Sequence, residues 1–101
     1  MGTVLALPKP DAYVIEWEAV QINGAEDFGA LRRLVKNSPW AAQMVLEKDD
    51  VVVFVFTTMH PTGMEQWTMG TTDWVVKSPH GKFWFMSANE FQSQFTWKAE
   101  V

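Results

Sequence analysis

Cysteine is absent from this chain of 101 residues. That absence excludes a disulfide framework, a thiolate metal site and a thiol nucleophile, and it fits the bacterial cytoplasm or another reducing compartment. Basic charge is scarce as well: eight Lys and Arg stand against twelve Asp and Glu, giving a net charge of -4. A general nucleic-acid binder needs a Lys/Arg-rich face to displace counterions from phosphates, so no nucleic-acid partner is expected. The few cations fall in two places, Arg32, Arg33 and Lys36 together, and Lys77 with Lys82. The first group reads as the basic last turn of a helix, where cations oppose the helix dipole. Long apolar runs are also missing. The opening "MGTVLALPKP" has no basic leader, a short apolar stretch and two prolines. Neither a signal peptide nor a membrane span is expected from it, and the chain reads as a soluble intracellular protein with no membrane partner.

Catalytic signatures are equally sparse. There is no G-x-S-x-G elbow, no P-loop and no G-x-G-x-x-G. The two histidines are His60, before a proline, and His80, in a turn sequence. Joined to Glu65 and Asp73 they would offer metal or acid/base donors, but no H-x-x-x-H or H-E-x-x-H spacing puts two of them on one element. Glu16 and Glu18 have the spacing of paired carboxylates and read as the charged solvent face of a strand. The expectation is a non-enzymatic protein with no catalytic residue, no metal and no cofactor.

What the sequence does have is apolar and aromatic side chains, 48% and 14% of residues, six of them tryptophan. That is ample material for one packed core, and the length suits a single domain over residues 1–101. Residues 1–11, interrupted by Pro8 and Pro10, read as a flexible N-terminal arm. "AYVIEWEAVQI" alternates, with Tyr13, Ile15, Trp17 and Ala19 on one side, and reads as a strand with one buried face. "NGAEDFGALRRLVKN" changes period, placing Phe28, Leu31, Leu34 and Val35 on one face of the main helix. Asn23 with Glu26 resembles a capping box at its start, and Asn37 with Pro39 marks its stop. "WAAQMVLE" and "VVVFVFTT" form a hairpin around "KDD", with Val51 to Phe56 expected as a central strand buried on both faces.

The C-terminal third adds a strand in "MEQWTM" and a second hairpin, "DWVVK" and "KFWFM" around "SPHG". Ser87 and Glu90 make an S-x-x-E capping box, Met86 and Phe91 a hydrophobic staple, and Phe91 and Phe95 share a helical face. A short helix therefore follows the aromatic strand. Assembled, these elements predict an α+β domain: a curved, mostly antiparallel sheet of about five or six strands with one main helix and a short C-terminal helix.

The aromatic run Phe83, Trp84, Phe85 cannot enter one core, because neighbouring strand residues point to opposite faces. If "SPHG" is a type I turn followed by a bulged Gly81, Val76 faces Trp84, Trp74 faces Met86 and Val75 faces Phe85. With a two-residue loop, Val76 instead faces Phe83 and Val75 faces Trp84. Either register leaves apolar side chains on both faces, so the second face requires a partner, a ligand or closure of the sheet. Phe83 and Phe85 are the two expected inside.

The segment "TDWVVKSPHGKFWFMSANEFQSQF" resembles a pattern in small uncharacterised proteins of tailed bacteriophages and prophages, of the type "GDWIVKGVKGEFYPCKPDIFEKTY". Asp73, Trp74, Lys77, Gly81, Phe83, Trp84 and Phe91 fall on matching positions, and Phe95 falls on a tyrosine. "IEWEAVQINGAEDF" is similar to the "VEAVQWTGDN" opening of that group, while the middle of the chain is unmatched. Thr72 stands where the group has glycine, and "FMSAN" replaces "YPCKPD". The resemblance implies a phage accessory protein acting in the cytoplasm of an infected bacterium. Its expected partner is a host or phage protein, or a second copy forming a homodimer. The expected contact surface is Trp84, Trp74, Trp67, Met86, His80, Lys77 and Lys82. The alternative is a nucleotide-sequestering protein in which Lys77, Lys82 and His80 meet phosphate while Trp84 stacks on the base.

Overall fold

The computed structural model describes residues 3–8 and 17–98. In chain order the elements are β1 (Val4–Pro8), β2 (Trp17–Gln21), α1 (Phe28–Val35), β3 (Ala41–Leu46), β4 (Val52–His60), β5 (Gly63–Met69), β6 (Trp74–Lys77), β7 (Phe83–Met86), α2 (Ala88–Gln94) and β8 (Phe95–Lys98). The protein is α+β, as its patterning predicts, and every strand pair is antiparallel. Among the described residues the strands divide between two sheets. One has the order β7-β6-β2-β1-β8, and the other is the meander β3-β4-β5.

The β6–β7 hairpin adopts the first of the two registers open from sequence. Ser78 O accepts from Gly81 N at 2.9 Å and Ser78 N donates to Lys82 O at 2.8 Å. Gly81 sits at φ 84, the left-handed conformation that the bulge requires and that glycine adopts without strain. Trp74 therefore pairs with Met86, Val75 with Phe85 and Val76 with Trp84. The pleat then sorts the side chains into two cores. Val20, Val75 and Phe83 face α1 and the three-stranded sheet, packing with Ile22, Leu31, Leu34, Phe54 and Phe56. Ala19, Trp74, Val76 and Met86 face the other way, packing with Val4, Ala6, Phe91 and Phe95. The second face of the hairpin is thus closed by α2 and its flanks. Trp74 stacks on Phe91 with centroids 3.8 Å apart and planes at 7°, and Phe91 stacks on Phe95 at 5.1 Å.

The short helix starts as its sequence dictates. Ser87 Oγ accepts from Glu90 N at 3.2 Å, and Glu90 Oε1 accepts from Ser87 N at 2.9 Å. The start of α1 differs from expectation. A single 3-10 turn at Ala25–Asp27 precedes it. This tighter turn makes Asp27, rather than Glu26, the residue whose carboxylate folds back, accepting from Asn23 N at 2.7 Å and Gly24 N at 3.2 Å. At the other end Asn37 takes φ 63 and the helix stops at Val35.

Three expectations are corrected by long-range pairing. Val4–Pro8, read as part of a flexible arm, is an inner strand between β2 and β8, with Val4 and Ala6 buried. Prolines block pairing only where a ladder needs their N–H, and Pro8 stands at the strand end. The remainder of the expected arm, residues 1–2 and 9–11, lies outside the described residues, as does the start of the expected first strand, residues 12–16. In β2 both Ala19 and Val20 are buried, so that strand has two covered faces instead of one. Conversely β4 is central but only partly covered on its second face, where Val53 is buried and the residues beyond it are not. Phe54 and Phe56 are fully buried, while Val55 and Thr57 are half-buried beside exposed Gln43, Gln66 and Thr68. Among the described residues no helix is long and apolar enough to cross a membrane.

Candidate interaction surface

β7 ends the five-stranded sheet, and among the described residues no strand pairs with its outer edge. In an antiparallel ladder alternate residues turn their backbone groups away from the partner. With Ser78 and Lys82 hydrogen-bonded, the residues turned outward are Phe83 and Phe85. The strand itself, "FWFM", carries no charge, although charges are the usual means of blunting such an edge.

A tryptophan stands on each side of this edge. Trp84 is 43% exposed on the face shared with Val76, and Lys82 Nζ lies 4.7 Å from its ring centroid. Trp67, on β5, is also 43% exposed and belongs to the opposite side, where its ring stacks on Phe85 at 5.6 Å and 18°. Its indole Nε1 donates to Glu65 Oε2 at 2.7 Å, and Glu65 Oε1 lies 2.8 Å from His60 Nε2. The hydrogen bond from Trp67 and then that to His60 hold the Glu65 carboxyl below its ordinary range. Phe85 is the hub of this side, touching Trp40 at 4.9 Å and Phe56 at 5.1 Å as well as Trp67. The Trp67 indole is therefore held in orientation before any partner arrives, which lowers the entropy lost on binding.

The other expected surface residues divide. Trp74 and Met86 are 2% and 7% exposed and belong to the core under α2, so they are removed from the contact surface. The cause is Phe91, which covers Trp74 by ring stacking. Lys77 is half-buried with Nζ 5.8 Å from the Phe83 ring, on the sheet face opposite Trp84. His80 is exposed at the hairpin tip beside Lys82. Lys77 and Trp84 thus do not converge, and Lys82 already occupies one face of the Trp84 ring. Trp40, Glu65 and His60, which hold the Trp67 side together, were not legible as a group. Their contacts join the residue before β3 with β4, β5 and β7, and only the Glu65–Trp67 and His60–Glu65 contacts are local.

Among the described residues no group of three or more His, Asp or Glu side chains is arranged to hold a metal ion. His60 and Glu65 form a pair only. Glu18 is exposed opposite Lys77, and Glu16 lies outside the described residues. No protein-family model matches the chain, nor does any curated protein or solved structure.

Proposed function

We propose that the chain is a non-enzymatic, phage-encoded accessory protein that binds an extended segment of a host or phage protein along the outer edge of β7, which no described strand occupies, in the cytoplasm of the infected bacterium. The observation that carries this reading is the uncharged edge with a half-exposed tryptophan on each side, of which Trp67 is held by Phe85 and Glu65. Strand addition to such an edge draws affinity from main-chain hydrogen bonds and specificity from side-chain contacts on either face. Tryptophan is the side chain most enriched among residues that dominate interface energetics. A second copy would use the same backbone groups in an isologous β7–β7 pairing.

The test is affinity capture from infected cells by wild type, Trp84→Ala and Trp67→Ala, followed by amide exchange on the purified complex. Both substitutions are expected to weaken capture of the same protein by about tenfold or more, with unchanged circular dichroism. The Phe83 and Phe85 amides should gain protection on binding. Sizing at two concentrations separates a foreign partner from self-pairing. Retention of the partner by both variants, with no change at these amides, removes the reading.

A further inference from the structure

We propose that the cleft between α1 and the 36–40 segment is a binding site for a nucleotide, with Arg32, Arg33 and Lys36 on its phosphates and Trp40 beside its base. The cleft has a volume of about 570 Å³ and is lined by Gly29, Arg32, Arg33, Val35, Lys36, Asn37, Ser38 and Trp40. This volume lies within the range of small-molecule sites and is far larger than inorganic phosphate needs.

The charge distribution is contrary to the composition of the chain. Acids outnumber bases by twelve to eight, yet three of the bases border one concavity whose lining contains no carboxylate. Their positions follow from helix geometry: Gly29, Arg32, Arg33 and Lys36 are three or four residues apart and share a face. The space beside Gly29 is open, since a β-carbon there would meet nothing within 4 Å. Offsetting the helix dipole explains cations in a last turn, but the C-terminal pole is worth only about half a charge, which three cations exceed. The two guanidiniums offer the planar forks that pair bidentately with phosphate oxygens.

The opposite wall is built by the chain reversal after α1. Asn37 in the left-handed conformation and Ser38 turn the backbone, Ser38 Oγ donating to Val35 O at 2.6 Å and accepting from Trp40 N at 3.1 Å. Trp40 is then held edge-on against Phe85 at 4.9 Å while remaining half-buried. The cleft therefore pairs a cationic wall with a fixed aromatic ring, the two chemistries that a nucleotide presents in reverse. It uses neither Trp67 nor Trp84, and although Trp40 also packs on Phe85, its cationic wall of Arg32, Arg33 and Lys36 is separate from the β7 surface.

The experiment is calorimetric titration of the full chain at low salt with ATP, adenosine, pyrophosphate and sulfate. ATP is expected to bind saturably at one site and more tightly than pyrophosphate, while adenosine and sulfate show no saturable binding. Arg32 and Arg33 are exposed, although Arg32 also lies over the Phe28 ring at 5.7 Å, so Arg32→Gln with Arg33→Gln is expected to keep the native circular dichroism with a small loss of thermal stability while weakening ATP by about tenfold or more. Absence of saturable ATP binding, an unaltered dissociation constant in the double variant, or sulfate and pyrophosphate matching ATP would each overturn the proposal.

Discussion

The two sheets of this protein treat their apolar side chains differently. In the β6–β7 hairpin both faces are packed: Val75 and Phe83 enter the core against α1, while Trp74, Val76 and Met86 enter the core under α2. In the β3-β4-β5 meander one face carries Phe54 and Phe56, and the other shows Gln43, Gln66 and Thr68 to solvent. Their sequences differ only in part, since the central strand β4, with "VVFVF", is as continuously apolar as the hairpin strands. "MEQWTM" alternates, as a half-buried strand does, whereas "WVVK" and "FWFM" carry apolar residues at consecutive positions, as a strand covered twice does. What the pattern lacks is the identity of the second cover. A seven-residue helix with one stacked phenylalanine suffices, because the face it closes is only a few strands wide.

This contrast is broken most severely by removing the cover. Phe91→Ala empties a fully buried site between Trp74 and Phe95, and a loss of about 3–5 kcal/mol is expected in urea unfolding. Val55→Thr on the open face of β4 is expected to cost less than about 1 kcal/mol. Equal effects would show that the two sheets are covered alike.

Gly81→Ala sharpens the comparison at the level of register. A β-carbon at φ 84 strains the bulge, and a loss of about 1–2 kcal/mol is expected. The β6–β7 pairing tolerates no slip to relieve it, since a one-residue shift would carry Trp84 into the position opposite Val75 and exchange both cores. Cross-strand nuclear Overhauser effects between Val76 and Trp84 in the variant measure this. Their replacement by Val75–Trp84 contacts would mean that the register is not fixed by the cores.

The smallest effect concerns the open sheet. Because the Glu65 carboxyl is held below its ordinary value of 4.5 by Trp67 and His60, its contribution is present above that value and lost as pH falls through the lower, folded value. Acidification should therefore move the Trp67 indole N–H resonance, with a midpoint below that of an ordinary glutamate. Glu65→Gln should abolish the titration. A midpoint at or above the ordinary value would refute the Trp67–Glu65 bond. The resonances of buried Trp74 should not follow this titration.

Local signals were legible because their physics is local. The Ser87–Glu90 box, the apolar face of α1, the stop at Asn37 and the turn at Gly81 each depend on dihedral angles and hydrogen bonds within a few residues. Even the placement of Phe83 and Phe85 on one face and Trp84 on the other follows from one turn type and the pleat, although Phe85, expected inside, is only half-buried. The same pattern could not separate Trp84 from Trp74 and Met86, which share its face, because only the position of α2 decides which of them is covered.

The sequence by itself determined the α+β class, the antiparallel hairpins, both helices and the two-sided apolar character of β7. Tertiary structure alone decided that Val4–Pro8 pairs with Phe95–Lys98 across nearly the whole chain, that the strands divide into two sheets, and that Trp40 and Trp67 both meet Phe85. The reason is the range of the forces recorded in each. Backbone preferences and side-chain period are properties of a few consecutive residues, whereas burial is a property of whatever packs opposite, however far away in sequence it lies.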